Sequence, residues 1–205
     1  MICAPFRIRR CQMDDEDAVY EVCLHTGDDG QDAANLFDDP RALGNIFVGP
    51  YLKFEPELAF VLEDPRGVCG YVLGALDSKK YYQAYQTRWL PHLQARYPEP
   101  AGEPAHWTRT QHVHHEYYHP NIFLPDPYEP YPSHLHIDLL PRAQGHGLGR
   151  EMMNVLLGEL AARGSPGVHL GMAITNARAE RFYRKLGFHE LARVREVLYL
   201  GKTLT

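Results

Sequence analysis

A glycine-rich run, Gln144-Gly145-His146-Gly147-Leu148-Gly149, separates an alternating apolar segment from a strongly patterned helix. Without a Cβ, glycine lets the backbone turn sharply there and lets a ligand come close to the amide hydrogens. The first amides of a helix have no internal partner, and the helix dipole adds partial positive charge. Together these make a place for an anion of pyrophosphate size. The alternative is a strand-to-helix connection that serves only tight packing. Arg150, just inside the helix, either reaches a phosphate or forms an exposed ion pair. There is no GK[ST] of a P-loop and no acidic residue on a second parallel strand, so neither a P-loop nucleotide site nor a dehydrogenase is indicated.

Upstream, His134, His136 and Asp138 alternate along one strand and project to one face. A histidine near its ordinary pKa is a proton acceptor around neutrality, and a carboxylate can accept, orient or anchor. Asp138, nearest the glycine turn, ranks first as base and His136 second. A bulge in this strand would reverse which face they occupy. Asp28, Asp29, Asp32, Asp38 and Asp39 form an acidic stretch that would attract a cationic amine or simply supply turn and capping aspartates. It lacks the alternating ligands of an EF-hand. His112, His114, His115, Glu116 and His119 invite a zinc reading, but no cysteine accompanies them and a loop does not impose tetrahedral geometry, so no metal is expected. With Trp89, Trp107, Tyr117, Tyr118, Tyr128 and Tyr131 they suggest instead a lid or wall over a cleft. The alternatives are an inert insertion and a homodimer contact.

These residues need elements to hold them. Phe6–Gln12 reads as a strand, Asp14 as the cap of a short helix ended by Gly27, and 32–47 as a helix interrupted at Pro40. Leu58–Leu62 and Val68–Leu76 form a hairpin about Asp64-Pro65-Arg66-Gly67. His134–Leu140 is a strand, Gly147–Arg163 a helix with Leu148, Met152, Val155, Leu156 and Leu160 on one face, Val168–Ala173 a strand, Ala177–Leu186 a helix, and Phe188–Leu200 one or two strands. Between them, about 77–132, periodicity fails apart from a helix within Tyr81–Tyr97. A segment this long inside a domain usually covers or binds something. The order is α/β or α+β with mixed strand directions.

The chain's 205 residues suit a single domain, 1–205. A net charge of −5 and pI near 6.2 argue against a nucleic-acid backbone as partner. No apolar run reaches membrane length and the start lacks a signal h-region, so no membrane association and a cytoplasmic location are expected. Cys3, Cys11, Cys23 and Cys69 are scattered, which suits reduced thiols.

Gln144-x-x-Gly147-x-Gly149, followed about thirty residues later by Asn176-x-x-Ala179-x-x-Phe182-Tyr183-x-Lys185-x-Gly187-Phe188, resembles the paired motifs of the GNAT superfamily of acetyl-CoA-dependent N-acetyltransferases. Thr26–Ala33, Phe47–Tyr51, Leu58–Asp64 and Gly67–Gly74 further resemble the acetyltransferase-like C-terminal domain of animal O-GlcNAcase, over most of the chain. That animal domain lacks a good pyrophosphate loop. The intact loop here implies a free-standing microbial relative that still binds the cofactor, without glycosidase activity.

The resemblance implies a mixed, twisted sheet flanked by helices and direct attack of an amine on acetyl-CoA in a ternary complex. It implies a cofactor site of Leu139, Leu140, Pro141, Gln144, Gly145, His146, Gly147, Leu148, Gly149, Arg150, Asn176, Ala179 and Tyr183. The backbone of Leu139–Pro141 would pair with the pantetheine, Asn176 would bond it or cap its helix, and Tyr183 would be general acid to the thiolate or a core tyrosine. Catalytic candidates are Tyr183, Asp138 and His136, and the acceptor is a small amine or a protein lysine. The competing function is a non-catalytic acetyl-CoA-binding or protein-interaction module.

Overall fold

The computed structural model describes residues 6–204; Cys3 lies outside them. A seven-stranded sheet runs in the order β1-β2-β3-β4-β5-β7-β6. Its strands are β1 (Arg7–Arg10), β2 (Ala59–Asp64), β3 (Gly67–Ala75), β4 (Ser133–Leu139), β5 (Gly167–Ala173), β6 (His189–Val194) and β7 (Val197–Thr203). Neighbours are antiparallel except β4 and β5, which are parallel. The architecture is the mixed α/β sheet expected.

The strand registers sort the apolar residues into two layers. Tyr71, Leu73 and Ala75 of β3 face a cluster formed with α1 (Glu16–Leu24), α2 (Ala42–Phe47) and α3 (Gly49–Phe54). Val72 of β3 and Leu135 of β4 face the other way, onto α7 (Leu148–Ala162). Within α7, Leu148, Met152, Leu156 and Leu160 are buried, the stripe that a 3.6-residue period requires. Burying four such side chains contributes on the order of 1.5–3 kcal/mol each to anchoring the helix on the sheet.

Local expectations hold with three adjustments. α1 is entered through a single turn at Met13–Asp15, and the cap falls on Gln12 and Asp15 rather than Asp14. Asp15 is held there by Arg9, with contacts of 2.6 and 2.8 Å, and accepts the Gln12 amide at 2.8 Å. Residues 32–47 hold a short turn at Ala34–Leu36 and then α2, rather than one interrupted helix. The helix within Tyr81–Tyr97 begins earlier, at α4 (Ser78–Ala84), where the Asp77 side chain accepts the Lys80 amide. It continues through a wide turn at Tyr85–Trp89 into α5 (Leu90–Arg96).

The insertion also holds α6 (Arg109–Glu116), opened by a reciprocal Thr108–Gln111 cap. It packs into the fold, supplying Tyr81, Tyr85, Leu90, Leu93, Val113 and Tyr117 to the first cluster.

Candidate active site

β4 and β5 pair only at Ser133/Val168 and His134/His169 and then diverge, although β4 runs on to Leu139 and β5 to Ala173. The opening between their ends is the tertiary feature that positions the site. On its other side β4 keeps an unbroken register with β3, from Ala75/His134 to Gly70/Leu139. No bulge intervenes, so His134, His136 and Asp138 share the face of Tyr71, Leu73 and Ala75. Leu140 donates to Cys69 at 2.9 Å. By antiparallel alternation, the backbone groups of Ile137 and Leu139 are therefore directed away from β3, toward the opening.

One cavity of about 360 Å³ fills that opening. Its floor is Ile137–Leu139, and one wall is the turn from Ala143 into α7. The other wall is α8 (Ala177–Lys185) with Asn176 before it. Gly145 and Gly147 have φ of 83° and 78°, and Gly147 caps α7 from the left-handed region. A Cβ at either would meet nothing within 4 Å. The backbone demands glycine while the space beside it stays open, which suits a ligand group lying against the amides. Arg150, Arg178 and Lys185 line the same cavity and give its outer end positive charge. A pyrophosphate-bearing cofactor fits this donor set.

Gln144 acts as a brace. Its amide nitrogen donates to the Leu139 carbonyl at 2.7 Å, and its amide oxygen accepts from Arg178 at 2.6 Å. The Leu139 carbonyl is thus engaged within the protein, which leaves the Leu139 N–H and the Ile137 backbone groups as the edge for an added strand. Asn176 caps α8 by accepting the Ala179 amide at 2.9 Å, and it lines the cavity as well. Of the expected cofactor residues, Leu139, Gln144, Gly145, Gly147, Leu148, Gly149, Arg150, Asn176, Ala179 and Tyr183 line the cavity. Leu140, Pro141 and His146 are not among its lining residues. Leu140 packs into both apolar clusters, Pro141 opens a short turn, and the exposed His146 lies 5.8 Å from Phe6.

At the inner end, Tyr183 is buried, and burial together with the nearby Asp138 charge pushes its phenol up, so it stays protonated. Asp138 accepts from the Tyr71 hydroxyl at 2.5 Å. His136 Nε2 lies 3.1 Å from Asp138 Oδ2, off the axis of an aligned hydrogen bond. The histidine ring is stacked on Phe47 at 5.3 Å.

His136 also lines a second cavity, about 380 Å³, on the α1–α3 face of the sheet. Asp138 borders the first cavity and His136 the second, so this close pair has one member in the lining of each.

The insertion does supply an aromatic wall, and of the residues expected in it Glu116 alone lines the cavity. Tyr81, Tyr82, Tyr85, Glu116 and Phe123 of the insertion line the second cavity. Trp89 instead donates to the Asn45 carbonyl at 2.8 Å, the Tyr117 hydroxyl is buried against Asn45 and Ala42, and Tyr118 bonds the Gln94 and Tyr97 carbonyls. Tyr128 bonds Asp77 and Tyr131 bonds His189. Trp107 lies over His112 and His115. A buried tyrosine or tryptophan spends its polar tip on whatever backbone lies nearest, and composition cannot tell which.

The acidic stretch is dispersed rather than pooled. Asp28 pairs with Arg109 at 2.6 Å, Asp32 with His25 at 2.9 Å, and Asp39 bonds the Arg41 amide at 2.9 Å. The amides of Asp38 and Asp39 donate to Thr110. Asp29 borders the first cavity and accepts from Thr175 at 2.9 Å, tying the α1–α2 loop to the β5–α8 turn.

Among the histidines, His115 and His119 converge with Glu99, their ligand atoms all within 4.8 Å of one another. His119 already bonds Glu99 at 2.6 Å. This is the set among the described residues whose spacing would admit an ion, and it lines neither cavity. Phe182, Arg178, Lys185 and Thr26 also border the first cavity, although sequence reasoning does not assign them to it. The first three lie in the second motif, whose helical spacing could have exposed them.

Residues 121–190 match the family described as Acetyltransferase (GNAT) domain. Protein O-GlcNAcase of Rattus norvegicus and of Mus musculus is 29% identical over 195 residues, 93% of this chain. The chain spans only 21% of those relatives' length. The crystal structure of SsHAT is 40% identical, with a TM-score of 0.90 and 98% of both chains covered. The structure of yncA from Salmonella typhimurium, described as a putative acetyltransferase with its cofactor acetyl-CoA, shares the fold at a TM-score of 0.56 and 17% identity. With a splayed parallel strand pair, a glycine turn onto a helix and this full-length likeness, the chain belongs to the GNAT acetyltransferase family.

Proposed function

We propose that this protein transfers the acetyl group of acetyl-CoA to a primary amine by direct attack, the cofactor lying in the first cavity and the amine entering from the second. The observation that carries the reading is the His136–Asp138 pair, 3.1 Å apart with one member lining each cavity, and the buried phenol of Tyr183 on the cofactor side.

Acetyl-CoA supplies an activated thioester carbonyl. His136 takes the proton that the ammonium must lose before its nitrogen can attack, and Asp138 stabilises the imidazolium so formed. Asp138 is thereby the orienting partner and His136 the base. The Asp138 carboxylate faces the buried Nε2 and already accepts the Tyr71 hydroxyl, so the ring nitrogen that takes the proton is Nδ1. The Leu139 N–H, directed into the opening, is placed to donate to the carbonyl oxygen as negative charge develops there. As the C–N bond forms and the C–S bond breaks, Tyr183 gives its proton to the departing thiolate. A phenol kept protonated by burial suits an acid that must be loaded before each turnover.

Calorimetric titration with acetyl-CoA, CoA and NAD tests the cofactor assignment, and thiol release with added amines tests transfer. Micromolar acetyl-CoA binding with amine-dependent thiol release is expected. Binding without transfer to any amine would favour the non-catalytic alternative, and no binding would remove the pyrophosphate-turn assignment.

A further inference from the structure

The second cavity carries polar chemistry that the transfer step does not use. Its walls are flat rings, among them Phe47, Tyr51, Tyr81, Tyr82 and Phe123, with His136 already stacked on Phe47. His134, only 4% exposed, has its Nδ1 2.7 Å from the Ser78 oxygen, and the Ser78 hydroxyl donates to the Pro132 carbonyl at 2.7 Å. With that hydroxyl bond kept, the ring proton sits on Nδ1 and Nε2 is the acceptor. That Nε2 is buried without a hydrogen-bond partner in a residue lining the cavity. A buried acceptor left unsatisfied is costly, and a bound donor would relieve it.

Charge narrows the occupant further. Glu116 lines the cavity, and burial pushes its carboxyl up. No lysine or arginine is among the lining residues. The tyrosine faces add negative quadrupole, which favours a cation and disfavours an anion.

Resting on the transfer reading above, we infer that the acceptor is an arylalkylamine with a ring hydroxyl or ring N–H and without a carboxylate. Its ring would stack in the aromatic wall, its ring donor would satisfy His134 Nε2, and its amine would reach His136. A lysine side chain or an aliphatic polyamine offers no ring to the wall. An aromatic amino acid would bring a carboxylate into a cavity that offers it no lysine or arginine partner and sets it beside Glu116.

The test uses the intact chain with acetyl-CoA and tyramine, phenethylamine, tyrosine, spermidine and a blocked lysine peptide, with products identified by mass. Tyramine is expected to exceed tyrosine, spermidine and the peptide at least tenfold in kcat/KM, with phenethylamine several-fold below tyramine. Phe47→Ala, at a side chain 39% exposed, should raise the tyramine KM about tenfold in a chain that still folds. Higher kcat/KM for spermidine or the lysine peptide, or equal values for tyramine and tyrosine, would overturn the acceptor class and leave acetyl transfer standing.

If no amine is acetylated, tyramine binding to the CoA-saturated protein is measured instead. Binding that Phe47→Ala weakens upholds the cavity's ligand class and removes only the transfer reading. Its absence, with CoA bound, overturns the ligand class. If CoA itself does not bind, the same titration on the protein alone upholds or overturns the ligand class of the second cavity in the same way.

Discussion

The hydroxyl of Tyr71, on β3, lies 2.5 Å from Oδ2 of Asp138, on β4, and that same oxygen is 3.1 Å from Nε2 of His136. Tyr71 and Asp138 are direct cross-strand partners on one face. Tyr71 is fully buried, and burial with the adjacent Asp138 charge holds its phenol well above the ordinary range, so it donates and does not ionise. Tyr71→Phe removes a hydrogen bond to a charged acceptor, worth about 1.5–3 kcal/mol. The expected outcome is a kcat about tenfold lower or more, with acetyl-CoA affinity unchanged, measured by steady-state kinetics and calorimetry. An unchanged kcat would show that the Asp138 orientation does not depend on Tyr71.

Tyr183→Phe keeps the ring in its apolar surroundings and deletes only the proton donor. Acetyl-CoA should bind as before while transfer slows about 100-fold, within the range for loss of a positioned general acid. Full activity in single-turnover experiments would remove Tyr183 as the acid and leave it a wall residue.

Gly147→Val puts a branched side chain at φ 78°, a conformation that costs such residues on the order of 1–2 kcal/mol, and projects it into the space beside the α7 amides. Acetyl-CoA affinity should fall by about 100-fold or more while circular dichroism and urea unfolding report a folded chain. Wild-type affinity would mean that the phosphates lie elsewhere.

Stability should fall as the pH drops below about 6.5. Burial, with the neighbouring His169 and His136 charges, holds the His134 pKa well below its ordinary value, and burial likewise lowers that of His169. Below the ordinary histidine pKa near 6.5 the unfolded chain takes up protons that the folded chain refuses, so acid favours unfolding. Each such histidine contributes a slope of up to about 1.4 kcal/mol per pH unit. Urea unfolding at pH 7.5 and 5.5 should show the loss. His134→Gln should be less stable at pH 7.5 yet lose less between the two. An equal loss in both proteins would acquit His134.

Much of the frame was legible from local pattern. The α7 stripe, the Asp64–Gly67 hairpin and the strand at β4 are short-range features, set by side-chain periodicity and by turn residues whose φ is restricted. The glycine turn was legible for the same reason, since a left-handed φ at Gly145 and Gly147 is a property of the backbone at those positions. The side-chain alternation of β4 also held, because no bulge shifts its register against β3.

The amino-acid sequence by itself determined the strand carrying His134, His136 and Asp138, the glycine turn behind it, and the helix that presents Tyr183. These depend on spacings of two to four residues. Tertiary structure alone decided what those residues meet. The divergence of β4 from β5 opens the first cavity, and Tyr71, 67 positions away in the chain, reaches Asp138. The insertion folds so that Glu116 and Phe123 line the second cavity while Trp89, Tyr117 and Tyr118 turn their polar tips to nearby backbone. An aromatic side chain buries its area equally well against many surfaces, so its neighbour is chosen only when the whole core closes around it.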